Sequence, residues 1–567
     1  MVYESENKRR FIFNIIFGIV VLVWSFLVID KGFYMDESGM LGTYKETYQG
    51  NRMFIDTWGV LQPAGILMYP IFALYYQVLE PIISPLGCGF VLYTRICYQI
   101  VRLIISIYLY FTIRKSPYKN SAFITAIAYY MFFVSFKNFS YKSLCDFAII
   151  LIICWSYRFY LNRNKWYFIL IGLATCLAIL AFPTMIVFPV VYVIWMIIMT
   201  YKGYELVKPI IIYCVTCFLC GGIFLLYLQL TSGLGNVLEQ IFYTEDHGYS
   251  QPIHVRLGMI LLSYLAFVVI SYFPIVVLKL LQRKTYISQH AIHIVLSVYW
   301  ILFMATVIVL RIESVSTTRF IYGCLIIFCW YPYLTKKHEE SEYIQIGKYK
   351  NVEYDSRQIF KYVFILSVIV QAIWAASTNQ EVTVPGHMCF CTVLGIIMIA
   401  DDENSGLKIL RTAIIALLVF FMGIWVAEGD GGYSDIFEER IYVTHGGYQG
   451  IAMTEEDYSR NESCYNLLTR YVDNDDKLYV TYGNGNTAYL NTDAFQSGGS
   501  PFARGGQDED AVMNYWYYNP ENIPDYILLD TGGKYYDHFV GGDTAEYINE
   551  NYKTTVATDG DFILLAR

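Results

Sequence analysis

The sequence predicts a polytopic α-helical membrane protein that ends in a small α/β domain. Hydrophobic residues make up 56% of the 567 positions and charged residues 16%, a more apolar balance than soluble globular proteins show. Long apolar runs recur through most of the chain, and a helix needs about 20 such residues to cross the hydrocarbon core. The last part, 428–567, is instead polar and rich in Gly, Asn and acidic residues.

Charge and cysteine usage exclude two other classes of protein. The formal net charge is −8, and Lys and Arg gather in short loops, so nucleic acid is not an expected partner. Most of the 13 cysteines lie within apolar runs, where Cys acts as a small hydrophobe. The polar C-terminal region holds Cys464 alone, which excludes an internal disulfide there.

The first apolar run, 11–29, follows the basic residues 8–10. The run is long for a signal peptide and lacks a small-residue cleavage site, so we expect a retained signal anchor. The apolar-length criterion predicts about thirteen membrane spans in all. They cover 11–30, 90–113, 121–138, 144–161, 166–181, 184–200, 208–230, 257–279, 291–310, 319–335, 359–376, 387–400 and 409–427.

Loop charges predict the orientation of these spans, because Lys and Arg concentrate in cytoplasmic loops. If the spans alternate, the basic loops all fall on one side, which is then cytoplasmic together with the N-terminus. These loops are 8–10, 114–119, 163–165, 202–208, 283–284 and 336–350. An odd number of spans places the C-terminal domain outside. We therefore expect a multi-pass protein of the plasma membrane.

Two domains follow from this organisation: a transmembrane domain over 1–427 and an extracytoplasmic domain over 428–567. Within the first domain, 31–89 does not fit a single span, because polar and aromatic residues mix with apolar ones and Pro70 interrupts the run. We expect an outer loop with one or two helices at the membrane interface, where Tyr and Trp are favoured.

The C-terminal domain alternates strand-like and helix-like patterns. The strand-like runs are 477–482, 526–529 and 562–566, and the helical ones are 455–471 and 543–551. Alternation of this kind indicates a small α/β domain. Its Gly-rich pieces match no phosphate-binding motif and are interpreted as turns.

Two adjacent acids, Asp36 and Glu37, follow the first span and lie at the outer membrane surface in this topology. One interpretation is a solvated pair at the end of a span. The other is that one carboxylate faces a cavity and takes a proton from an acceptor hydroxyl or amine, as a positioned general base does.

A second acid, Asp146, lies at the outer start of the span 144–161. A charge at such a position usually faces a cavity or a partner, and Lys142 four residues earlier lies on the same helix face. The two residues form either a local ion pair or part of a site, in which the cation would suit a phosphate-bearing substrate.

Three arginines lie in the outer parts of predicted spans. Arg319 opens the span 319–335, and Arg95 and Arg102 lie in 90–113. Each side chain either extends to water, as long cationic side chains do at membrane surfaces, or clamps a phosphate.

Glu245, Asp246 and His247 are neighbours in the outer loop 231–256. Acid and His side chains are metal ligands, but their spacing matches no tight metal motif. A solvated loop, a metal site and a contact to an acceptor all stay open.

The order of these features resembles the GT-C class of integral membrane glycosyltransferases, in particular the protein O-mannosyltransferase and lipid A aminoarabinose transferase group. The matching residues, in chain order, are Asp36-Glu37, Gly87 with Arg95, Asp146 and Arg319-Phe320. The resemblance covers most of 1–430. One departure is that Gln62-Pro63-Ala64 stands where the group has Lys-Pro-Pro, which puts the donor-phosphate contact in doubt.

The resemblance implies transfer of a sugar from a polyprenyl phosphate in the bilayer to an acceptor glycan, lipid or protein at the outer face. Asp36 would be the general base, Glu37 would orient it, and Asp146 would line the same cavity. Lys142 and Arg319 would neutralise the leaving phosphate. Arg95, Gln62 and His247 are further candidate substrate contacts. The resemblance implies no certain cofactor and leaves a divalent metal open, with Glu245, Asp246 and His247 as candidate ligands.

Two other functions compete with this one. A transporter or flippase of lipid-linked glycans would show charged or Gly/Pro-broken positions midway through spans and an internal repeat, whereas the polar groups here cluster at one face. A ligase of whole glycans would share the outer-face site and stays open. The outer domain either binds the acceptor or caps the site.

Overall fold

The structure is a computed structural model that describes most of the chain. The described residues are 2–115, 119–131, 137–201, 205–241, 252–283, 286–310, 326–327, 330, 343–346, 349–353, 356–378, 394–395, 405–424, 440–481, 485–501, 509–533 and 536–567.

The described residues up to 424 are predominantly helical. The helices are α1 Val2–Leu27, α2 Met35–Gln49, α3 Ala64–Leu74, α4 Glu80–Ile83, α5 Phe90–Arg114, α6 Ala122–Met131, α7 Tyr141–Asn162, α8 Tyr167–Ala181, α9 Val187–Tyr201, α10 Val207–Thr231, α11 Leu234–Gln240, α12 Ile253–Gln282, α13 Gln289–Leu310, α14 Ser356–Thr378 and α15 Ser405–Ile424. A short antiparallel hairpin, β1 Tyr343–Ile346 and β2 Tyr349–Glu353, separates α13 from α14.

The polytopic membrane architecture is confirmed, although the count of about thirteen spans is not. Seven helical segments in the described residues are long and apolar enough to cross a membrane, and four further apolar helices have 10–17 residues. The predicted spans 90–113, 208–230 and 291–310 coincide with α5, α10 and α13 to within two residues at each end. The spans 319–335 and 387–400 lie almost wholly outside the described residues.

Local signals set the ends of the helices that matter for the site. The Ser140 hydroxyl accepts from the Ser143 backbone N–H, and the Ser143 hydroxyl accepts from the Ser140 N–H, a capping box that starts α7. At the C-terminal end of α2, Gly50 adopts a left-handed conformation with φ of 92°. Glycine adopts that conformation without steric cost, and the helix therefore ends there.

Lipid-facing and core positions separate clearly in the helical domain. Phe218 and Leu230 of α10 are 81% and 77% exposed, as expected of side chains that face hydrocarbon. Trp300 and Trp374 are fully buried in one hydrophobic core. Their burial against other helices shows that the helices pack into one body.

The C-terminal α/β domain is confirmed. A five-stranded sheet has the order β6-β5-β7-β9-β8. The first three strands run parallel, and β9 pairs antiparallel with both β7 and β8. Its elements are β3 Ile441–Tyr442, β4 Ala452–Met453, α16 Glu455–Tyr471, β5 Lys477–Val480, α17 Gly485–Ala488, β6 Phe495–Gln496, α18 Glu509–Tyr518, β7 Tyr526–Asp530, α19 Tyr536–Val540, α20 Asp543–Asn551, β8 Thr554–Asp559 and β9 Phe562–Ala566.

The sheet has a hydrophobic core on each face, because successive side chains of a strand point to opposite sides. On β5, Leu478 packs in the core that contains Leu468 of α16. Its neighbour Tyr479 packs in the opposite core, with Trp516 of α18. Helices therefore cover both faces of the sheet.

Trp58 belongs to the first outer loop, yet it is buried in the core of the C-terminal domain. Its indole N–H donates to Gln240 at 3.0 Å, and its backbone N–H donates to the Gly499 carbonyl at 2.6 Å. The Tyr515 hydroxyl donates to the Asp56 carbonyl at 2.8 Å. The loop and the domain therefore share one core, and neither packs independently of the other.

The segment 64–86 is long and apolar enough to cross a membrane, but both of its ends lie against the C-terminal domain. Gly59, just before the segment, packs against Ser500. The Ser84 hydroxyl, near its end, hydrogen-bonds Gln449 at 2.9 Å. If the segment crossed the membrane, one of its ends would lie on the far side from that domain. We therefore propose that 64–86 lies along the outer face of the membrane.

The close approach of Gly450 to Gly87 gives a test of this packing. Both glycines have positive φ, 83° and 82°; a Cβ added at Gly450 would lie 2.2 Å from the Gly87 carbonyl oxygen, whereas a Cβ at Gly87 would meet nothing within 4 Å. Gly87→Ala should lower the free energy of unfolding by about 1 kcal/mol through backbone strain. Gly450→Ala should lower the free energy of unfolding by roughly 1–3 kcal/mol more than Gly87→Ala does, because the added methyl group overpacks the contact. Thermal unfolding of the two purified variants measures the difference; equal losses would contradict the docked arrangement.

Candidate functional site

Asp36 and Glu37 occupy the first turn of α2. Backbone N–H groups in that turn lack intrahelical partners, and the helix dipole is positive there, so acidic side chains are favourable. Tyr34 precedes the helix in an extended conformation, and its carbonyl accepts from the Ser38 N–H at 3.3 Å. The two acids are neighbours in sequence, but they face different surroundings.

Glu37 is buried in a bidentate ion pair. The Arg95 Nε donates to Glu37 Oε1 at 2.8 Å, and Arg95 Nη2 donates to Oε2 at 2.6 Å. The Asn138 amide donates to the same Oε1 at 2.8 Å. The exposed fractions of the Arg95 and Glu37 side chains are 1% and 2%. Charge-assisted contacts of this geometry are the strong ones in proteins.

The remaining donors of Arg95 hold the turn between α1 and α2. Nη1 donates to the Ile29 carbonyl at 2.9 Å, and Nη2 donates to the Gly32 carbonyl at 3.0 Å. One guanidinium therefore contacts both the carboxylate of Glu37 and the backbone that leads to it. Together these contacts fix the position of the first turn of α2 relative to α5.

A second buried basic side chain, that of Lys137, supports the same turn. Its Nζ donates to the Val28 carbonyl at 2.9 Å and to the Lys31 carbonyl at 3.2 Å. Burial, together with the charge of Arg95, holds the pKa of Lys137 well below its usual range. The loop before α7 thereby contacts the loop after α1.

Asp36 differs from Glu37 in exposure and in partners. It is half-buried, and the Tyr34 hydroxyl donates to its Oδ2 at 2.9 Å. A carboxylate accepts at about four lone-pair positions. Within the part of the chain that the structure describes, the Tyr34 hydroxyl is the one hydrogen-bond donor to Asp36.

Asp146 is 3% exposed, in the second turn of α7. It accepts a hydrogen bond from the Tyr129 hydroxyl at 2.9 Å. The nearby cation is Arg102, whose Nη2 donates to the Tyr129 carbonyl at 2.8 Å and whose Nη1 donates to the Tyr98 hydroxyl at 2.6 Å. Among the described side chains, Lys142 is not a partner of Asp146.

One helix connects the two acidic sites. Arg95, Tyr98 and Arg102 lie on one buried stripe of α5. At one end of the stripe Arg95 meets Glu37, and at the other Arg102 lies beside Asp146. The structure therefore brings Glu37 and Asp146 to the same helix, two turns apart on it.

Lys142 and Gln62 also have defined surroundings. The Lys142 ammonium lies 5.5 Å from the centre of the Trp374 ring and 5.7 Å from that of Tyr141, at cation–π distances. Gln62 is 1% exposed. Its side-chain oxygen accepts from the Phe54 N–H at 2.9 Å, and Phe54 has a positive φ of 63°. Gln62 therefore stabilises the bend of the first outer loop.

Four candidate residues lie outside the described residues: Arg319, Glu245, Asp246 and His247. The metal site that the acidic loop suggested therefore stays a prediction. In the residues that the structure does describe, no group of three or more His, Cys, Asp or Glu side chains is arranged to hold a metal ion.

Sequence patterns did not single out Tyr34, Asn138 or Lys137 as members of this site. Tyr34 lies two residues before Asp36, and a side-chain donor so close to a candidate base is a signal that was available. Asn138 and Lys137 reach Glu37 and its turn from about a hundred residues away. Contacts of that sequence separation leave no local pattern.

Neither a family model nor a curated protein matches the chain. Solved structures do match. ArnT from Cupriavidus metallidurans bound to undecaprenyl phosphate is 10% identical, with 97% of each chain covered and a TM-score of 0.40. The same protein in the apo state has a TM-score of 0.43, with the same identity and coverage. The Archaeoglobus fulgidus oligosaccharyltransferase in complex with Zn and sulfate is 11% identical, with 93% of this chain and 70% of that chain covered and a TM-score of 0.41.

These proteins are GT-C glycosyltransferases, the class that the sequence resembles. At TM-scores of 0.40–0.43 the likeness carries no argument about activity or site residues.

The Glu37–Arg95 pair gives a prediction about stability. Arg95→Met leaves the Glu37 carboxylate buried without its cation, which should cost about 3–5 kcal/mol. The exposed pair Arg52–Glu521, at 3.2 Å, is the control: Glu521→Gln should cost less than about 1 kcal/mol. The double variant Arg95→Met with Glu37→Leu should recover part of the loss. Thermal unfolding measures the stability of all three variants. If Arg95→Met lowers the free energy of unfolding by no more than Glu521→Gln does, the prediction of a stabilising buried ion pair is wrong.

Proposed function

We propose that the protein is a membrane glycosyltransferase that moves a sugar from a polyprenyl-phosphate donor to an acceptor at the outer face, with Asp36 as general base. The supporting observation is the contrast between the two adjacent acids. Glu37 is enclosed by Arg95 and Asn138, whereas Asp36 is half-buried and accepts from Tyr34. Of the pair, Asp36 is the carboxylate with capacity for a substrate proton.

The chemistry needs one base. The oxygen of the acceptor hydroxyl forms a bond to the anomeric carbon while the bond from that carbon to the phosphate oxygen breaks. The hydroxyl proton passes to the Asp36 carboxylate, and the bonding electrons leave with the phosphate. Polyprenyl phosphate is stable as an anion, so its departure requires neutralisation of charge rather than a proton.

Glu37 and Tyr34 act as positioning residues in this proposal. Through Arg95, Glu37 fixes the first turn of α2, and Asp36 belongs to that turn. The Tyr34 hydroxyl fixes the rotation of the Asp36 carboxylate. A general base must be held within hydrogen-bond reach of the proton that it removes.

The other assignments stay predictions. Lys142 and Arg319 are proposed to neutralise the leaving phosphate, and the half-buried position of Lys142 near the outer start of α7 is compatible with that role. Asp146 is proposed to support the site from within the helical domain. The buried contacts of Arg95 and Gln62 favour positioning roles over direct substrate contacts. His247 stays a candidate contact.

Loss of the base should abolish transfer without unfolding the protein. Asp36→Asn is expected to lower the rate of polyprenyl phosphate release at least about a hundredfold, the usual minimum for a lost general base. Purified protein is incubated with polyprenyl-phosphate monosaccharides and candidate acceptors, and released polyprenyl phosphate is quantified. The control is Asp475→Asn, an exposed acid of the C-terminal domain. Near-normal transfer by Asp36→Asn would overturn the assignment.

The same assay separates transfer from transport. A flippase moves the donor lipid between the leaflets of a proteoliposome and leaves the sugar–phosphate bond intact. A transferase releases polyprenyl phosphate in detergent, where no second compartment exists. Lipid movement without release would support the transporter instead.

A further inference from the structure

A cleft of about 530 Å³ lies between the first outer loop and the C-terminal domain. Its volume is within the range of small-molecule sites in proteins. Tyr76 and Glu80 lie on the side of the first loop, and Tyr465 and Asp473 on the side of the domain. None of the residues assigned to transfer above lines it.

The cleft has a fixed frame. Within the domain side, Gly447 packs closely against Leu490, because a Cβ added at Gly447 would lie 2.3 Å from the Leu490 carbonyl oxygen. From the loop side, the Lys45 ammonium forms an ion pair with Asp493 at 2.7 Å and donates to the Thr492 carbonyl at 2.7 Å. The two walls are therefore held in place by direct contacts between the loop and the domain.

The lining has the chemistry of a carbohydrate site. Aromatic rings offer apolar faces to the C–H groups of a sugar, and Tyr465, which is half-buried, is the ring on the domain side. Exposed carboxylate and amide groups of Asp473, Asn474 and Asp493 are suited to pairs of sugar hydroxyls. A mostly apolar drug-like ligand would not use so many polar groups.

The charge of the lining selects among carbohydrates. Three carboxylates, those of Glu80, Asp473 and Asp493, face the cleft together with one cation, Lys45, which is paired with Asp493. An anionic sugar would be repelled, because like charges across an interface cost several kcal/mol. Uncharged sugars meet no such penalty.

The cleft also lies on the helix that carries the proposed base. Lys45 is nine residues after Asp36 on α2, which corresponds to about 13 Å along the helix axis. Nine residues are about two and a half helical turns, so the Asp36 and Lys45 side chains lie on opposite faces of α2, and the cleft and the proposed base are separate sites on one helix.

We propose that this cleft binds an uncharged oligosaccharide, which is the distal part of the acceptor. The identity of the ligand as acceptor rests on the proposed function. The binding of an uncharged oligosaccharide does not, and it is measured without donor.

The test uses the full chain in nanodiscs, with mannopentaose, chitopentaose and laminaripentaose as uncharged probes and pentagalacturonate as the anionic one. Saturation-transfer NMR should detect at least one uncharged probe at about 1 mM and not the anionic one. Tyr465→Ala should weaken that binding about tenfold, the effect of one lost aromatic contact, and Tyr465→Phe should retain it. Tyr517→Ala is the matched control, because Tyr517 is 78% exposed in the same domain and does not line the cleft.

Three results would overturn the proposal: absence of binding by all uncharged probes, equal binding of the anionic probe, or unchanged binding by Tyr465→Ala. Asp36→Asn should bind the oligosaccharide as the wild type does. Binding that depends on Tyr465 in a protein without transferase activity would support the cleft and refute the transfer reaction. Transfer that depends on Asp36, in a protein that binds none of the uncharged oligosaccharides, would support the transfer reaction and refute the cleft.

Discussion

The buried ion pair between Glu37 and Arg95 is the interaction on which the rest of the site depends. Two charges removed from water are costly, and attraction repays that cost only with good geometry and further hydrogen bonds. Here the guanidinium contacts both carboxylate oxygens and also the Ile29 and Gly32 carbonyls. Because the pair joins α2 to α5, the first turn of α2 has one position, and Asp36 has that position with it.

The C-terminal domain depends on the same loop. The Tyr448 hydroxyl of the domain donates to the Ser38 hydroxyl at 2.5 Å, one residue after Glu37. Further along the loop, Trp58 is 2% exposed inside the domain core. The proposed base and the cleft therefore belong to one packed body, in which the C-terminal domain contacts the first outer loop directly. A glycan bound to the domain would be held at a defined distance from Asp36.

The membrane spans and the domain elements could be predicted because their signals are local. An apolar run such as 208–230 predicts a helix from its own composition, and the helix α10 follows it closely. The strand-like runs of the C-terminal domain were predicted for the same reason, and β7 and β9 occupy them. The count of about thirteen spans is not confirmed, because seven helical segments of the described residues are long and apolar enough to cross a membrane, and the predicted spans 319–335 and 387–400 lie almost wholly outside those residues.

The candidate site could be predicted only in part. Its acids were visible as an adjacent pair, but their unequal burial was not. Arg95 is 58 positions from Glu37, and Asn138 is 101 positions away. Arg95 was visible as a cation near the end of a span and as a candidate substrate contact, but not as the partner of Glu37.

The sequence by itself determined that this is a polytopic helical membrane protein with a small α/β domain, and that Asp36 and Glu37 follow its first span. Composition and periodicity are properties of short stretches of sequence, so they predict helices and strands without tertiary information. Only the tertiary structure decided that Glu37 is buried against Arg95 while Asp36 keeps a half-exposed carboxylate. It also decided that the domain packs onto the Asp36 loop and encloses a cleft there. Both outcomes depend on residues brought together from distant parts of the chain, because burial and pairing of a side chain are set by its tertiary contacts.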